Sequence, residues 1–259
     1  MTLALALEGC AGRAAFQVGA VEWFGEQGLR VTAAAGASSG SIVAALTAFL
    51  PARELREAWL AGAGERVFRP EMLLRGRWPL VMSDIVGNAL ETVLGGARLA
   101  ESPIPLAIPV THAGRRGRTR RVLTRKDDVP VVDAVLASCF VPGPYARRIV
   151  IGGRLALDGA WQVRTPVEEA MALGGGQCLA IVTNSEKALY RGYPVKRAAA
   201  VPAGCRVLGP DQPLALGSFD TDRGRILAAM AAGRSAAMRL AASGAVPGDE
   251  DGEVQAGGS

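Results

Sequence analysis

Twice within residues 1–51, a short apolar run ends at a glycine turn and gives way to a helical pattern. Leu3 to Leu7, bounded by Glu8 and Gly9, reads as a buried strand. From Arg13 to Gln27 the period becomes helical. Phe16, Val18, Ala20, Val21 and Phe24 share a broad apolar face, and Gly28 suits the stop. Val31 to Ala35 is a second apolar run, ending at Gly36. Ser41 to Leu50 is helical again, and Pro51 closes it. Strand, turn and helix, repeated, begin a doubly wound, mostly parallel α/β sheet flanked by helices.

The remaining elements are read the same way. Helices are expected over 52–62, 83–95 (with Ser83 as N-cap), 131–138, 166–173 (with Thr165 as cap) and 223–242. Strands are expected over 106–111, 121–124 and 179–183, and a hairpin turns at Gly152-Gly153. Residues 1–242 are thus read as one α/β domain. Residues 243–259, Gly-rich and acidic with little to bury, are expected to form a disordered tail. Aromatic residues are only 5% of the chain and glycines number 33. Small side chains must therefore do much of the packing. The apolar stretch after Ser41 is about half the ~20 residues of a membrane span. No basic segment precedes the first apolar run, so a secretory signal is not expected.

Cys10, Cys139, Cys178 and Cys205 form no CxxC pair and read as reduced thiols of a cytosolic protein, not as a metal site. His112 is the single histidine, which limits a Ser-His-Asp triad to one candidate base. It precedes AGRRGRTRR, so the expectation is a loop histidine at the surface.

Gly36-Ala37-Ser38-Ser39-Gly40 matches G-x-S-x-G between an expected strand and an expected helix. Such a sharp turn lifts the serine hydroxyl clear of the sheet, at the positive end of the next helix. With 33 glycines and 11 serines, chance alone would give the pattern about 0.2 times per chain. Its position between strand and helix makes it informative. A serine nucleophile needs a base. Asp158 follows the expected strand RLAL and precedes Gly159-Ala160, at the sheet edge where α/β ligands bind. A partly desolvated carboxylate gains proton affinity and can serve. An Asp before Gly is equally a turn cap, and spacing leaves the two readings level.

Glu8-Gly9-Cys10-Ala11-Gly12-Arg13-Ala14, the Gly36–Gly40 turn, Asp158-Gly159-Ala160 and Ala137-Ser138-Cys139-Phe140-Val141-Pro142-Gly143 occur in an order that resembles the patatin-like phospholipases. The likeness runs from about residue 3 to 240. It implies a three-layer α/β/α fold, Ser38 as nucleophile and Asp158 as general base of a Ser-Asp dyad. It also implies an oxyanion hole from backbone N–H groups of Gly9, Cys10, Ala11, Gly12 and Ser39. Arg13, Gly36, Gly40 and Gly159 would support the site, Arg13 by orienting the loop or attracting an anionic head group. The sequence departs from the family at Cys10, Ala11 and Ala14, where the pattern has glycine.

The activity so implied is hydrolysis of lipid carboxylic esters without a metal or organic cofactor. Acyl transfer, thioester hydrolysis and impaired catalysis with retained lipid binding are the alternatives. Residues 63–100, bulky and apolar, are expected to be a lid or acyl-binding wall, or ordinary core. The arginine run 115–121 is expected to be a solvated hairpin, or else a contact with anionic membrane. It has no interleaved aromatic residue, so nucleic acid is not an expected partner. The location expected is cytoplasmic or peripheral on a membrane; oligomeric state is not readable.

Overall fold

A computed structural model of the chain describes residues 2–114, 117–193 and 198–244. In chain order the elements are β1 (Thr2–Leu7), α1 (Ala15–Glu26), β2 (Arg30–Gly36), α2 (Ser39–Phe49), α3 (Leu55–Leu60), α4 (Met82–Leu94), β3 (Leu106–Gly114) and β4 (Gly117–Leu123). There follow α5 (Val131–Ser138), β5 (Val150–Ile151), β6 (Arg154–Leu157), α6 (Val167–Leu173), β7 (Cys178–Ile181), β8 (Leu189–Tyr190), β9 (Ala198–Ala199), β10 (Cys205–Leu208) and α7 (Arg223–Ala242). Most of the tail expected to be disordered lies outside the described residues.

The main sheet runs β10-β7-β1-β2-β3-β6-β5, with β4 also on β3. Pairings from β10 to β3 are parallel, and those of β3 with β4 and β6 are antiparallel. This is the mixed, mostly parallel sheet of a three-layer α/β/α fold. The LALAL of β1 explains the layers. Leu3, Leu5 and Leu7 join one core with Phe16, Phe24, Leu46 and Leu136 under α1, α2 and α5. Ala4 and Ala6 join a thinner core with Val167 and Ala170 of α6 on the opposite face. Large side chains fill the deep layer, and alanines let α6 lie close.

Two features of the sheet place the site. β2 runs beside the start of β3, with Ala35 opposite Ala107. β6 runs the other way, with Leu157 opposite Thr111. Their C-terminal ends therefore run toward each other along β3, and each delivers the residue that follows it to the same place.

Three local expectations are corrected. The N-cap of α4 is Val81, and Ser83 lies inside the first turn, where its hydroxyl accepts from the Arg147 N–H at 3.1 Å. Pro166 holds the N-cap position of α6; the buried Thr165 hydroxyl has no partner among the described residues. His112 is a buried residue of β3, opposite Thr119 and Ala156, not a surface loop histidine. Strand neighbours on both edges shield it despite the arginines that follow in sequence.

Candidate active site

The Gly36–Gly40 turn is tight for a steric reason. A Cβ on Gly36 would lie 2.1 Å from the Gly40 carbonyl oxygen, and one on Gly40 would lie 2.3 Å from that of Leu7. Glycine at both positions lets β2 turn directly into α2. Ser38 absorbs the bend at φ 49° and ψ −130°. A non-glycine residue held at positive φ costs about 1–3 kcal/mol. Its N–H donates to Ser138 Oγ at 3.0 Å, and Ser138 Oγ donates in turn to the Pro109 carbonyl at 2.7 Å. Its carbonyl accepts from Ser41 Oγ at 2.6 Å. The peptide units on both sides of the serine are fixed, so the hydroxyl has a defined direction.

That hydroxyl donates to Asp158 Oδ2 at 2.7 Å, across 120 residues of sequence. The other carboxylate oxygen, Oδ1, accepts from the Ala160 N–H at 2.8 Å. Asp158 thus caps the following turn with one oxygen and accepts from the serine hydroxyl with the other. Asp158 is anchored through its own N–H to the Phe140 carbonyl at 2.9 Å and through its carbonyl to Thr111 Oγ1 at 2.8 Å. Gly159 is required because a Cβ there would meet the Pro109 carbonyl oxygen at 2.1 Å. Burial raises the Asp158 pKa from 3.8 to about 6, against the lowering effect of the two hydrogen bonds.

Gly9 to Gly12 face Ser38 across one cavity. Three of the five expected N–H donors already have acceptors. Gly9 donates to the Arg164 carbonyl at 2.8 Å, Gly12 to that of Ser218 at 2.9 Å, and Cys10 to Ser39 Oγ at 3.1 Å. Ala11 and Ser39 begin their helical turns, where the backbone offers no internal acceptor; their N–H groups have none among the described residues. Ala11 adopts φ 55°, the left-handed region that its glycine counterpart in the family enters without strain. The Cys10 thiol is buried and pushed up to about 12, and it donates to the Glu8 carbonyl, so it is no nucleophile near neutral pH.

The loop rests on a charged platform. Fully buried Glu8 meets Arg164 at 2.8 Å and accepts from Thr183 N–H and Oγ1 at 2.6 and 2.9 Å. The Arg164 guanidinium lies over the rings of Tyr193 and Tyr190. Desolvation raises the Glu8 pKa, and Arg164 opposes it. Arg13 does not line the cavity. Its charge favours ionised Glu8 and Cys10.

The cavity beside Ser38 encloses about 490 Å³, within the ~300–1,000 Å³ common for small-molecule sites. Its walls are mainly apolar: Ile42 and Leu46 from α2, Met82, Ile85, Val86 and Leu90 from α4, with Trp59, Tyr145 and Phe219. Of the segment 63–100, then, α4 forms a wall. His112 is not among the lining residues. In the arginine run, Arg118 stacks over Trp161 at 4.3 Å, Arg120 pairs with Glu169 and Arg121 with Asp127. Arg115 and Arg116 lie outside the described residues. Ser138, Thr111 and the Glu8–Arg164–Thr183 platform were not singled out in the sequence as site residues. Ser138 carried a signal within its motif. Thr111 carried none, because only strand pairing brings it to Asp158.

A three-layer α/β/α fold with a serine on a strained strand-to-helix turn defines a class of hydrolase scaffolds. The sequence model of the Patatin-like phospholipase family matches residues 5–171, more than half of the chain, and the chain belongs to this family. The fold is similar to the crystal structure of VipD from Legionella pneumophila, with a TM-score of 0.51 at 11% identity, covering 93% of this chain and 66% of that one. This chain thus spans just under two thirds of the VipD chain. Comparison with curated proteins returned no match. Among the described residues no helix is long and apolar enough to cross a membrane.

Proposed function

We propose that this protein is a serine lipid acyl hydrolase that cleaves carboxylic esters through Ser38 and Asp158. The observation that carries the reading is the 2.7 Å hydrogen bond from Ser38 Oγ to a buried carboxylate whose pKa lies about 6. At neutral pH that carboxylate is ionised yet basic enough to take a proton. Asp158 removes the Ser38 proton as Oγ attacks the ester carbonyl. The tetrahedral oxyanion is met by the N–H groups of Ala11 and Ser39. Collapse expels the alcohol, which takes the proton from Asp158. Water, deprotonated by the same carboxylate, then attacks the acyl-serine; collapse frees the fatty acid, and the proton held by Asp158 returns to Ser38 Oγ. The acyl chain lies along the α2–α4 cavity, where each buried CH₂ contributes ~0.8 kcal/mol.

The test is intact-mass detection of a fluorophosphonate adduct, run beside hydrolysis of p-nitrophenyl butyrate. The parent is expected to gain one adduct and to release acid. Ser38→Ala is expected to gain none and to lose at least ~10³-fold in rate. A Ser38→Ala protein with full esterase rate would overturn the mechanism. An adduct on Ser38 with product forming only when an alcohol or thiol acceptor is added would replace hydrolysis by acyl transfer.

A further inference from the structure

Between α3 and α4 the chain leaves the body of the protein and returns, its two limbs bridged at Phe68 and Leu80. At the tip, a 3-10 turn spans Pro70–Arg75. This excursion exposes an unusual set of side chains. Phe68 is 54% exposed, Leu73 58%, Leu74 91% and Trp78 53%. Large apolar side chains so grouped and open to water mark an interaction surface. Arginines are interleaved with them. Arg66 and Arg75 are exposed and make no ion pair among the described residues, whereas Arg69 pairs with Glu65 and Arg77 with Asp84.

Both feet of the excursion stand on the rim of the cavity. The Gly64 N–H donates to the Thr221 carbonyl at 2.6 Å, and Thr221 Oγ1 donates to the Glu65 carbonyl at 2.8 Å; Thr221 lines the cavity. On the other side Trp78 Nε1 donates to the Gly143 carbonyl at 2.6 Å, between the lining residues Val141 and Tyr145. The chain then enters α4 at Met82, itself part of the wall.

We propose that residues 66–78 dock this protein on an anionic lipid bilayer, with Leu73 and Leu74 inserted among the acyl chains and Arg66 and Arg75 against lipid phosphates. Apolar tips flanked by guanidinium groups match the boundary between acyl chains and head groups. An indole with its N–H bonded is at home at that depth. Arg66 and Arg75 against the exposed, equally unpaired Glu71 of the same turn leave a net positive charge that selects the anionic surface, at roughly fivefold in binding per arginine. Because the feet frame the cavity, docking sets its rim at the bilayer, where an ester substrate would be drawn out. This last clause rests on the acyl-hydrolase reading; the docking itself does not.

The experiment is vesicle flotation of the whole chain, with phosphatidylcholine alone or with added phosphatidylserine, at low and high salt. The parent is expected to float with the anionic vesicles and to be released by salt. Leu73→Ser/Leu74→Ser is expected to bind them at least about tenfold more weakly. Arg66→Gln/Arg75→Gln is expected to lose the preference for phosphatidylserine. Both double variants should hydrolyse soluble p-nitrophenyl butyrate at the parental rate, which shows an intact fold. Ser38→Ala should float as the parent does, so failure of the catalytic reading is seen separately. Equal flotation of the parent and the leucine variant would overturn the proposal. So would a parent that stays unbound with both vesicles, which would leave the surface to a protein partner.

Discussion

Ser38 and Asp158 show how two unfavourable states are combined into one hydrogen-bonded pair. The serine is held at a positive φ by hydrogen bonds on both flanking peptides. The aspartate is buried, with a pKa raised to about 6. Each group alone is costly, and together they satisfy each other at 2.7 Å. A base must be deprotonated to act. Below pH ~6 the rate constant kcat/KM is therefore expected to fall about tenfold per unit, as a single protonation, and to level above pH 6. A pH–rate profile on a soluble ester checks this. A flat profile between pH 4.5 and 7 would remove Asp158 from the role of base. His112 adds no second limb here, since it lies outside the cavity lining and burial lowers its pKa. Ala11 is the other strained residue facing the cavity. Its N–H keeps the left-handed geometry of a glycine at a cost of about 1–2 kcal/mol.

At the scale of elements, the low aromatic content turns into backbone-to-backbone packing. α1 and α7 meet at reciprocal glycines. A Cβ on Gly19 would lie 1.9 Å from the Met230 carbonyl oxygen, and one on Gly233 would lie 1.9 Å from that of Phe16. Neither contact can relax by turning a side chain. Gly19→Ala is expected to destabilise the fold by ~3 kcal/mol or more, seen as a lower urea midpoint. An unchanged midpoint would mean that the helices do not touch there. The same elements show what a sequence can disclose. β1, β2 and α2 were legible because apolar runs ended at glycines, and α5 and α7 were legible to the residue. The caps at Ser83 and Thr165 were not. A hydroxyl near a helix start bonds whichever partner the fold brings, and for Ser83 that is Arg147 N–H, from far along the chain. The arginines that follow His112 point toward water, while two strand neighbours decide its burial. The exposure of Leu73 and Leu74 was equally hidden, since an apolar side chain does not state which surface it faces. At the candidate site, the G-x-S-x-G turn and Asp158 could be read. The occupation of the Gly9, Cys10 and Gly12 N–H groups could not, because their acceptors come from distant segments.

For the whole molecule, the buried Asp158 carboxyl links stability to pH. Its folded pKa, about 6, lies above the ordinary 3.8. The folded state thus binds the proton more tightly than the unfolded chain. The stabilising contribution is complete below pH ~4 and is lost as pH rises through 6, at a cost of about 3 kcal/mol. Glu8, raised by desolvation, acts with the same sign. Asp158→Asn removes the Asp158 charge and keeps an acceptor for the Ala160 N–H. It is expected to raise the unfolding midpoint at pH 7–8, to leave it nearly unchanged at pH 4, and to abolish hydrolysis. A midpoint lowered at pH 8 would contradict the linkage. The convergence of β2 and β6 on β3 also bears on synthesis. The serine emerges from the ribosome 120 residues before the aspartate. Until the later strand is made and docks, the nascent polypeptide has only half of this hydrogen-bonded pair. Under the acyl-hydrolase proposal, a protein so wired has no activated serine while it is still being translated; completing its own fold is what arms it.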